Sequence, residues 1–262
     1  MAERISAHSL PQLKANGQKI VSLTAYSEAS ARIADAAGVD FILVGDSVGS
    51  VVYGQRNTVR VTLADMVRHT MAARAGCKRA LLVADLPLGT YNSSIAQAVD
   101  SAVELVRAGA EAVKLEGTYT EEIKAIIKAG IPVMGHLGMT PQSVHVFGGH
   151  KVQGKQADAA ETLLREAQAL EAAGVFAIVI ELVVADVAAQ VSRQLAVPTI
   201  GIGSGVGCDG QIQVFHDLLG LTEHKFKHAG RYLEAALLMQ DAVANYAADV
   251  RESTFPRPEN SF

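Results

Sequence analysis

The sequence contains no tryptophan, and aromatic residues make up only 5% of its 262 positions. Nearly half of the chain is apolar all the same, a hydrophobic share of 49%, enough to bury a large core. Cysteine is nearly as scarce. Cys77 and Cys208 are too few for a disulfide framework and lack the spacing of a metal site, the pattern of a reduced protein. An excess of one charge is also lacking: 23 Lys and Arg stand against 27 Asp and Glu, a formal net of −4, with no basic stripe. That balance argues against a nucleic acid partner. No apolar run approaches membrane-spanning length, and the opening MAERISAHSLPQ has no apolar signal core. The expectation is a cytoplasmic protein with no membrane partner.

What the sequence does have is a set of apolar strands that end in charge. Phe41–Ser50 reads FILVGDSVGS: apolar residues suited to a buried parallel strand, then Gly45-Asp46-Ser47 breaking the run. The figure recurs at Ala80–Pro87, ALLVADLP, with Asp85; at Ala112–Gly117, AVKLEG, with Lys114 and Glu116; and at Ala177–Val183, AIVIELV, with Glu181. Charged groups on buried strands are costly unless paired, hydrogen-bonded or bound to a metal. Their repetition predicts a site built where strand ends converge.

Ala37-Gly38, Ala75-Gly76, Ala108-Gly109, Ala129-Gly130 and Ala173-Gly174 each close a helical stretch a few residues before a strand. Glycine just past a helix end takes the left-handed conformation that other residues resist. The spacing predicts strands over 19–26, 41–47, 80–87, 112–117, 132–137, 177–183 and 198–203, and helices over 27–37, 62–75, 93–108, 119–129, 158–173 and 185–196. An eighth strand is weakly marked at Gln211–Phe215, where a helix is the alternative. A short helix over Ile5–Asn16 precedes the first strand, Ala229–Arg251 reads as helical, and the tail FPRPENSF as irregular. Repeated βα units give either a closed barrel or an open doubly wound sheet. The strand count and the scattered charged strand ends favour an α/β protein of the (β/α)8 TIM-barrel type, a single domain over 1–262. Active sites of such barrels lie at the C-terminal strand ends.

Asp46 and Asp85 end neighbouring strands, so their carboxylates approach and repel each other. A hard divalent cation relieves this, and oxygen donors without a His pair or thiolate favour Mg²⁺ over Zn²⁺. For either aspartate alone the alternative is a helix N-cap. Lys114 and Glu116 lie two apart and face one way, so Lys114 suits an anionic substrate unless the two merely pair with each other. His136, in GHLG, ends the next strand and is a candidate for substrate contact, a satisfied structural histidine being the alternative. Glu181 lies within an apolar run, so desolvation should raise its pKa as a general base requires; a buried ion pair is the alternative. The glycine-rich Gly201–Gly207 lacks the turn into a long helix and the acidic residue of a dinucleotide fingerprint. Close backbone approach by a ligand is the better reading there.

With these residues in place, the sequence resembles the ketopantoate (3-methyl-2-oxobutanoate) hydroxymethyltransferase family, from about Leu10 to Asn260-Ser261-Phe262. The likeness rests on LTAY, LVGDSVG, ADLP, VKLEG, GHLGMTPQSV followed by FGGHKVQGK, and IGIGSGVGCDGQ followed by HD. The block His136–Lys155 is its most specific part. The resemblance implies a barrel of the phosphoenolpyruvate/isocitrate-lyase-like type and a transferase of pantothenate biosynthesis. It implies hydroxymethyl transfer from 5,10-methylenetetrahydrofolate to 3-methyl-2-oxobutanoate, giving 2-dehydropantoate, with Mg²⁺ as cofactor. By position it implies that Asp46 and Asp85 bind the metal with Glu116 as a further acidic group. It also implies that Asp46, Ser47, Asp85 and Lys114 hold the 2-oxo acid, that Glu181 accepts the proton, and that the chain forms a homo-oligomer, often a decamer. Ser27, the segment Gln55–Arg60 with Arg56 and Arg60, and Leu182-Val183-Val184 depart from the family pattern. Lyases of the same barrel type carry a Lys-Lys-Cys-Gly-His run, which surrounds neither Cys77 nor Cys208.

Overall fold

A computed structural model describes residues 4–262. Helix α1 (Ser9–Ala15) leads into β1 (Ile20–Thr24), α2 (Glu28–Ala36), β2 (Phe41–Val44), the short α3 (Val48–Val51), α4 (Leu63–Gly76) and β3 (Leu81–Asp85). Next come α5 (Ile95–Arg107), β4 (Ala112–Lys114), α6 (Thr120–Lys128), β5 (Val133–Gly138), a 3₁₀ turn (Pro141–Ser143) and the short α7 (Val144–Phe147). The barrel then finishes with α8 (Ala157–Ala173), β6 (Ala177–Glu181), α9 (Ala185–Gln194), β7 (Thr199–Ile202) and β8 (Gly210–Gln213). All pairs are parallel, and β8 closes on β1, so the structure is the expected eight-stranded barrel.

Two-residue alternation along each strand decides what the barrel holds. Leu81 and Val83 of β3 join an inner cluster with Phe41, Leu43, Met134, Ala177, Val179 and Ile200, whereas Leu82 and Ala84 pack outward beneath the helices. Leu10 of α1 belongs to the inner cluster and is fully buried. Lys14 fixes α1 across the strand beginnings through Ser192 O at 2.8 Å, Val197 O at 3.1 Å and Asp209 Oδ2 at 2.9 Å. The floor of the barrel is thus apolar and stoppered.

Helix starts follow the chemistry of their first residues. Ser27 caps α2 and Thr62 caps α4, each in a reciprocal capping box, with Ser30 and Asp65 respectively. The bonds to Thr62 hold Asp65 down to about 2 against the pull of burial. Gly38, Gly109, Gly130 and Gly174 take positive φ past helix ends as the sequence predicts. Gly76 does not. It is the last residue of α4, and a Cβ there would run into the Glu28 carbonyl, so its role is the close approach of α2 and α4.

The N-terminal helix is shorter than the sequence predicts because the Ile5 N–H bonds to Arg79 O instead of entering the helix. The chain divides into two compact units, the first running to Phe215 and the second from His216 to Phe262. The second holds the end of α10 (Phe215–Leu218), then α11 (Ala235–Arg251) and a 3₁₀ turn (Pro258–Asn260). Helix α11 begins six residues after the expected Ala229, because Arg231 reaches back to Thr222 O and the Tyr232 N–H bonds to Leu218 O. No helix of the described residues is long and apolar enough to cross a membrane.

Candidate active site

The alternation that aims Leu81 and Val83 inward also aims Asp85, the last residue of β3. Asp85 lies in register with Lys114 on β4, and Gly138 of β5 with Glu181 on β6. Lys114, Glu116, His136 and Glu181 follow the same phase, so one inward set of polar side chains caps the apolar core. Asp46, Asp85, Lys114, Glu116 and His136 are each 3–4% exposed. The Glu181 side chain is 16% exposed, the most open of the set.

Lys114 Nζ lies 2.8 Å from Asp85 Oδ1 and 3.2 Å from His136 Nδ1, so it pairs with Asp85 and not with Glu116. Burial opposes its charge, but Asp85, Glu116 and Asp46 together outweigh burial and hold its pKa above the ordinary lysine value. His136 Nδ1 also lies 3.4 Å from Glu116 Oε1, while Nε2 lies 3.3 Å from Glu181 Oε2. The latter approach is off the hydrogen-bonding direction. Burial, then the Lys114 charge, lower the pKa of His136, so the imidazole is neutral. Lys114 donating to Nδ1 assigns the ring proton to Nε2, facing Glu181.

The carboxylates are pushed the other way. Burial, then the charges of Asp85 and Glu116, raise Asp46 well above the usual range. Burial raises Glu116 to about 7, and desolvation raises Glu181 as its apolar run predicts. Asp46 leaves β2 with its N–H donated to Asp85 Oδ2 at 3.0 Å, which ties the two neighbouring strand ends together. Gly45 makes the space, since a Cβ there would lie 2.7 Å from Ser47 Oγ and 3.5 Å from Asp85 Oδ2. Ser47 Oγ is held by the Tyr26 hydroxyl at 2.8 Å.

Asp46, Asp85, Glu116 and Glu181 face one buried lysine, a surplus of negative charge that oxygen-seeking cations relieve. Glu116 Oε1 is buried with no hydrogen-bond partner among the described residues. No group of three or more His, Cys, Asp or Glu among these residues is arranged to hold a metal alone. A bound ion would take one or two carboxylates and complete its shell with water and substrate, the habit of Mg²⁺.

Sequence reasoning missed Gln142 and Tyr91. Both are buried and hydrogen-bonded to this set, but both stand on loops, where no periodicity marks a direction. The glycine run is also explained differently: the space beside Gly205 and Gly207 is filled by Ala185 and Ala189 of α9. Burial pushes the Cys77 thiol up to about 11 and raises that of Cys208, so neither is a nucleophile. A cavity of about 270 Å³ near α8, lined by Gly138, Phe147, Gln153, Asp158 and Glu166 among others, contains none of the inward charged set.

A family model described as ketopantoate hydroxymethyltransferase matches residues 4–258. The 3-methyl-2-oxobutanoate hydroxymethyltransferase of Aeropyrum pernix is 51% identical over 260 residues, covering 98% of this chain and 94% of the relative. The enzyme of the same name from Gloeobacter violaceus is 51% identical over 251 residues, covering 94% and 96%. Among solved structures, phosphonopyruvate hydrolase in complex with oxalate and Mg⁺⁺ has a TM-score of 0.63 at 15% identity, covering 98% of this chain and 93% of that one. A 2,3-dimethylmalate lyase of the PEP mutase/isocitrate lyase superfamily has a TM-score of 0.58 at 19% identity, covering 96% and 89%. These structural likenesses carry the barrel type alone. The sequence likeness carries more: the chain belongs to the ketopantoate hydroxymethyltransferase family, a family of transferase enzymes.

Proposed function

We propose that this chain transfers a one-carbon unit from 5,10-methylenetetrahydrofolate to C3 of 3-methyl-2-oxobutanoate, giving 2-dehydropantoate, with water supplying the hydroxyl oxygen. The observation that carries the reading is the placement of Glu181. It is the most open of the inward charged groups, its pKa is raised by desolvation, and a neutral His136 stands behind it. Such a carboxylate is a stronger base than a solvated one and is suited to the C3 proton, the bond that the one-carbon unit replaces. His136, with Nε2 3.3 Å from Glu181 Oε2, stands beside Glu181 and borders the substrate.

Lys114, ion-paired with Asp85 Oδ1 at 2.8 Å and hydrogen-bonded to His136 Nδ1 at 3.2 Å, offers its buried charge to the substrate carboxylate. Asp46 with Ser47 and Asp85 frame the other side of the 2-oxo acid. Mg²⁺ held by Asp46 and Asp85, with Glu116 beside it, would supply Lewis-acid stabilisation of the developing enolate, worth several kcal/mol. The buried negative surplus and the unpaired Glu116 Oε1 support that assignment. Water adds to the carrier's methylene to give a hydroxymethyl group on nitrogen. The carbanion left by loss of the C3 proton forms the new C–C bond as that C–N bond breaks, and tetrahydrofolate departs with the proton that Glu181 took.

The test is exchange of the C3 proton of 3-methyl-2-oxobutanoate in D₂O with Mg²⁺ and no folate. Exchange that stops in Glu181→Gln is the expected result; exchange at the wild-type rate in that variant would make another group the base, His136 first. The chain is also proposed to act as a homo-oligomer, supported by exposed Leu237, Leu238, Met239 and Val243 on α11. Sedimentation as a monomer would remove that part.

A further inference from the structure

Gln142, 5% exposed in the 3₁₀ turn after β5, gathers hydrogen bonds from several strand ends. Its Nε2 donates to Asp46 Oδ2 at 2.8 Å and to Leu86 O at 3.0 Å. Its Oε1 accepts the Tyr91 O–H at 2.7 Å, and its backbone N–H donates to Glu116 Oε2 at 2.9 Å. One loop residue thereby touches the exits of β2, β3 and β4, and both amide N–H groups are engaged.

Tyr91 determines which way round the amide lies. The tyrosine is 1% exposed, and its oxygen accepts the Glu116 N–H at 3.3 Å. Its own proton goes to Gln142 Oε1, the nearer acceptor, since Glu116 O lies 3.3 Å away. With the amide oxygen pinned there, the nitrogen must face Asp46; an inverted amide would set its carbonyl against the Asp46 carboxylate. Held at Oδ2 and Oε2 from the loop side, Asp46 and Glu116 each keep one oxygen clear of Gln142, and Glu116 Oε1 has no hydrogen bond. Outer groups of this kind set the geometry of the groups that touch metal or substrate.

We propose that Gln142 is a positioning residue, that it orients Asp46 and so sets the affinity of the mouth for Mg²⁺ and the 2-oxo acid, and that Tyr91 acts through it. This rests on the role given above to Asp46. Gln142→Met keeps the volume and removes the amide, while Tyr91→Phe removes only the hydroxyl. Wild type, both variants and the double are compared by Mg²⁺ titration calorimetry with 3-methyl-2-oxobutanoate present. C3 exchange and the thermal midpoint of the metal-free protein are measured alongside.

Gln142→Met is expected to weaken Mg²⁺ binding about 10–100-fold in a protein that still melts cooperatively. Tyr91→Phe should weaken it about two- to tenfold. The double should lose less than the two single losses combined, because the Tyr91 hydroxyl reaches Asp46 only through Gln142, its other bonds in this group being to the Glu116 backbone. Wild-type affinity in a folded Gln142→Met overturns the proposal, and so does an additive loss in the double. Where Gln142→Met does not fold, Tyr91→Phe decides: unchanged affinity overturns the proposal and a loss upholds it. Absence of Mg²⁺ binding in the wild type would instead sink the metal assignment. C3 exchange would then judge Gln142, with an unchanged rate counting against it and a fall of about tenfold in its favour.

Discussion

The two ends of the barrel interior are made by the same strands and obey opposite rules. On the floor, Phe41, Leu81, Met134 and Ala177 pack with Leu10 into a dry cluster. A few residues further along, the same inward positions carry Asp85, Lys114, His136 and Glu181, with Asp46 and Glu116 beside them. The floor gains stability from every apolar atom removed from water. The mouth holds charges whose desolvation its pairings offset only in part, as the raised Asp46, Glu116 and Glu181 show. Alternation delivers both kinds of side chain to one axis, so one fold keeps the cost of function apart from the source of its strength.

The sharpest break in that comparison is Glu181→Gln, which preserves volume and removes the proposed base. Turnover should fall about 10²–10⁴-fold with little change in melting temperature or in 2-oxo acid affinity. Steady-state kinetics beside calorimetry would show it, and a loss matched by unfolding would count against the division. Leu10→Ala tests the other end. It should cost about 2–5 kcal/mol in denaturant unfolding, with C3 exchange per folded molecule unchanged.

The pH dependence of the metal-free protein probes the mouth without mutation. Glu116 is raised from 4.5 to about 7, so the folded state binds more protons than the unfolded between those values. Its contribution is therefore complete below about pH 4.5 and lost as the pH climbs to about 7, on the order of 3 kcal/mol at about 1.4 kcal/mol per pH unit. Glu116→Gln should flatten that fall, and equal slopes for both proteins would contradict the assignment. The smallest effect belongs to the rim. Arg56 and Arg60 are exposed and form no ion pair with a described residue, and replacing both should raise the folate KM less than about tenfold. 2-Oxo acid binding should be unchanged, and equal effects on both ligands would exclude a folate role.

The site was legible in the sequence wherever strand periodicity gave a side chain a direction. A charge two residues beyond Val83 or Val179 has to point where those valines point, so Asp85 and Glu181 could be placed without coordinates. His136 was legible in position but not in role, because its pKa is lowered by burial and then by Lys114, which only register brings near. Gln142 and Tyr91 were not legible at all. They reach the site through loops after β5 and β3, whose paths are set by tertiary contacts, and neither residue type marks a site. Gly76 misled for a related reason: a helix-ending glycine and a helix-packing glycine look alike until the second helix is in place.

A barrel stoppered by Leu10 has one door. On the function proposed above, the 2-oxo acid would have to reach Lys114 before a bulkier folate covered the mouth. Binding would then follow a fixed order, the small acid first, set by a leucine at the far end of the barrel from the charged groups.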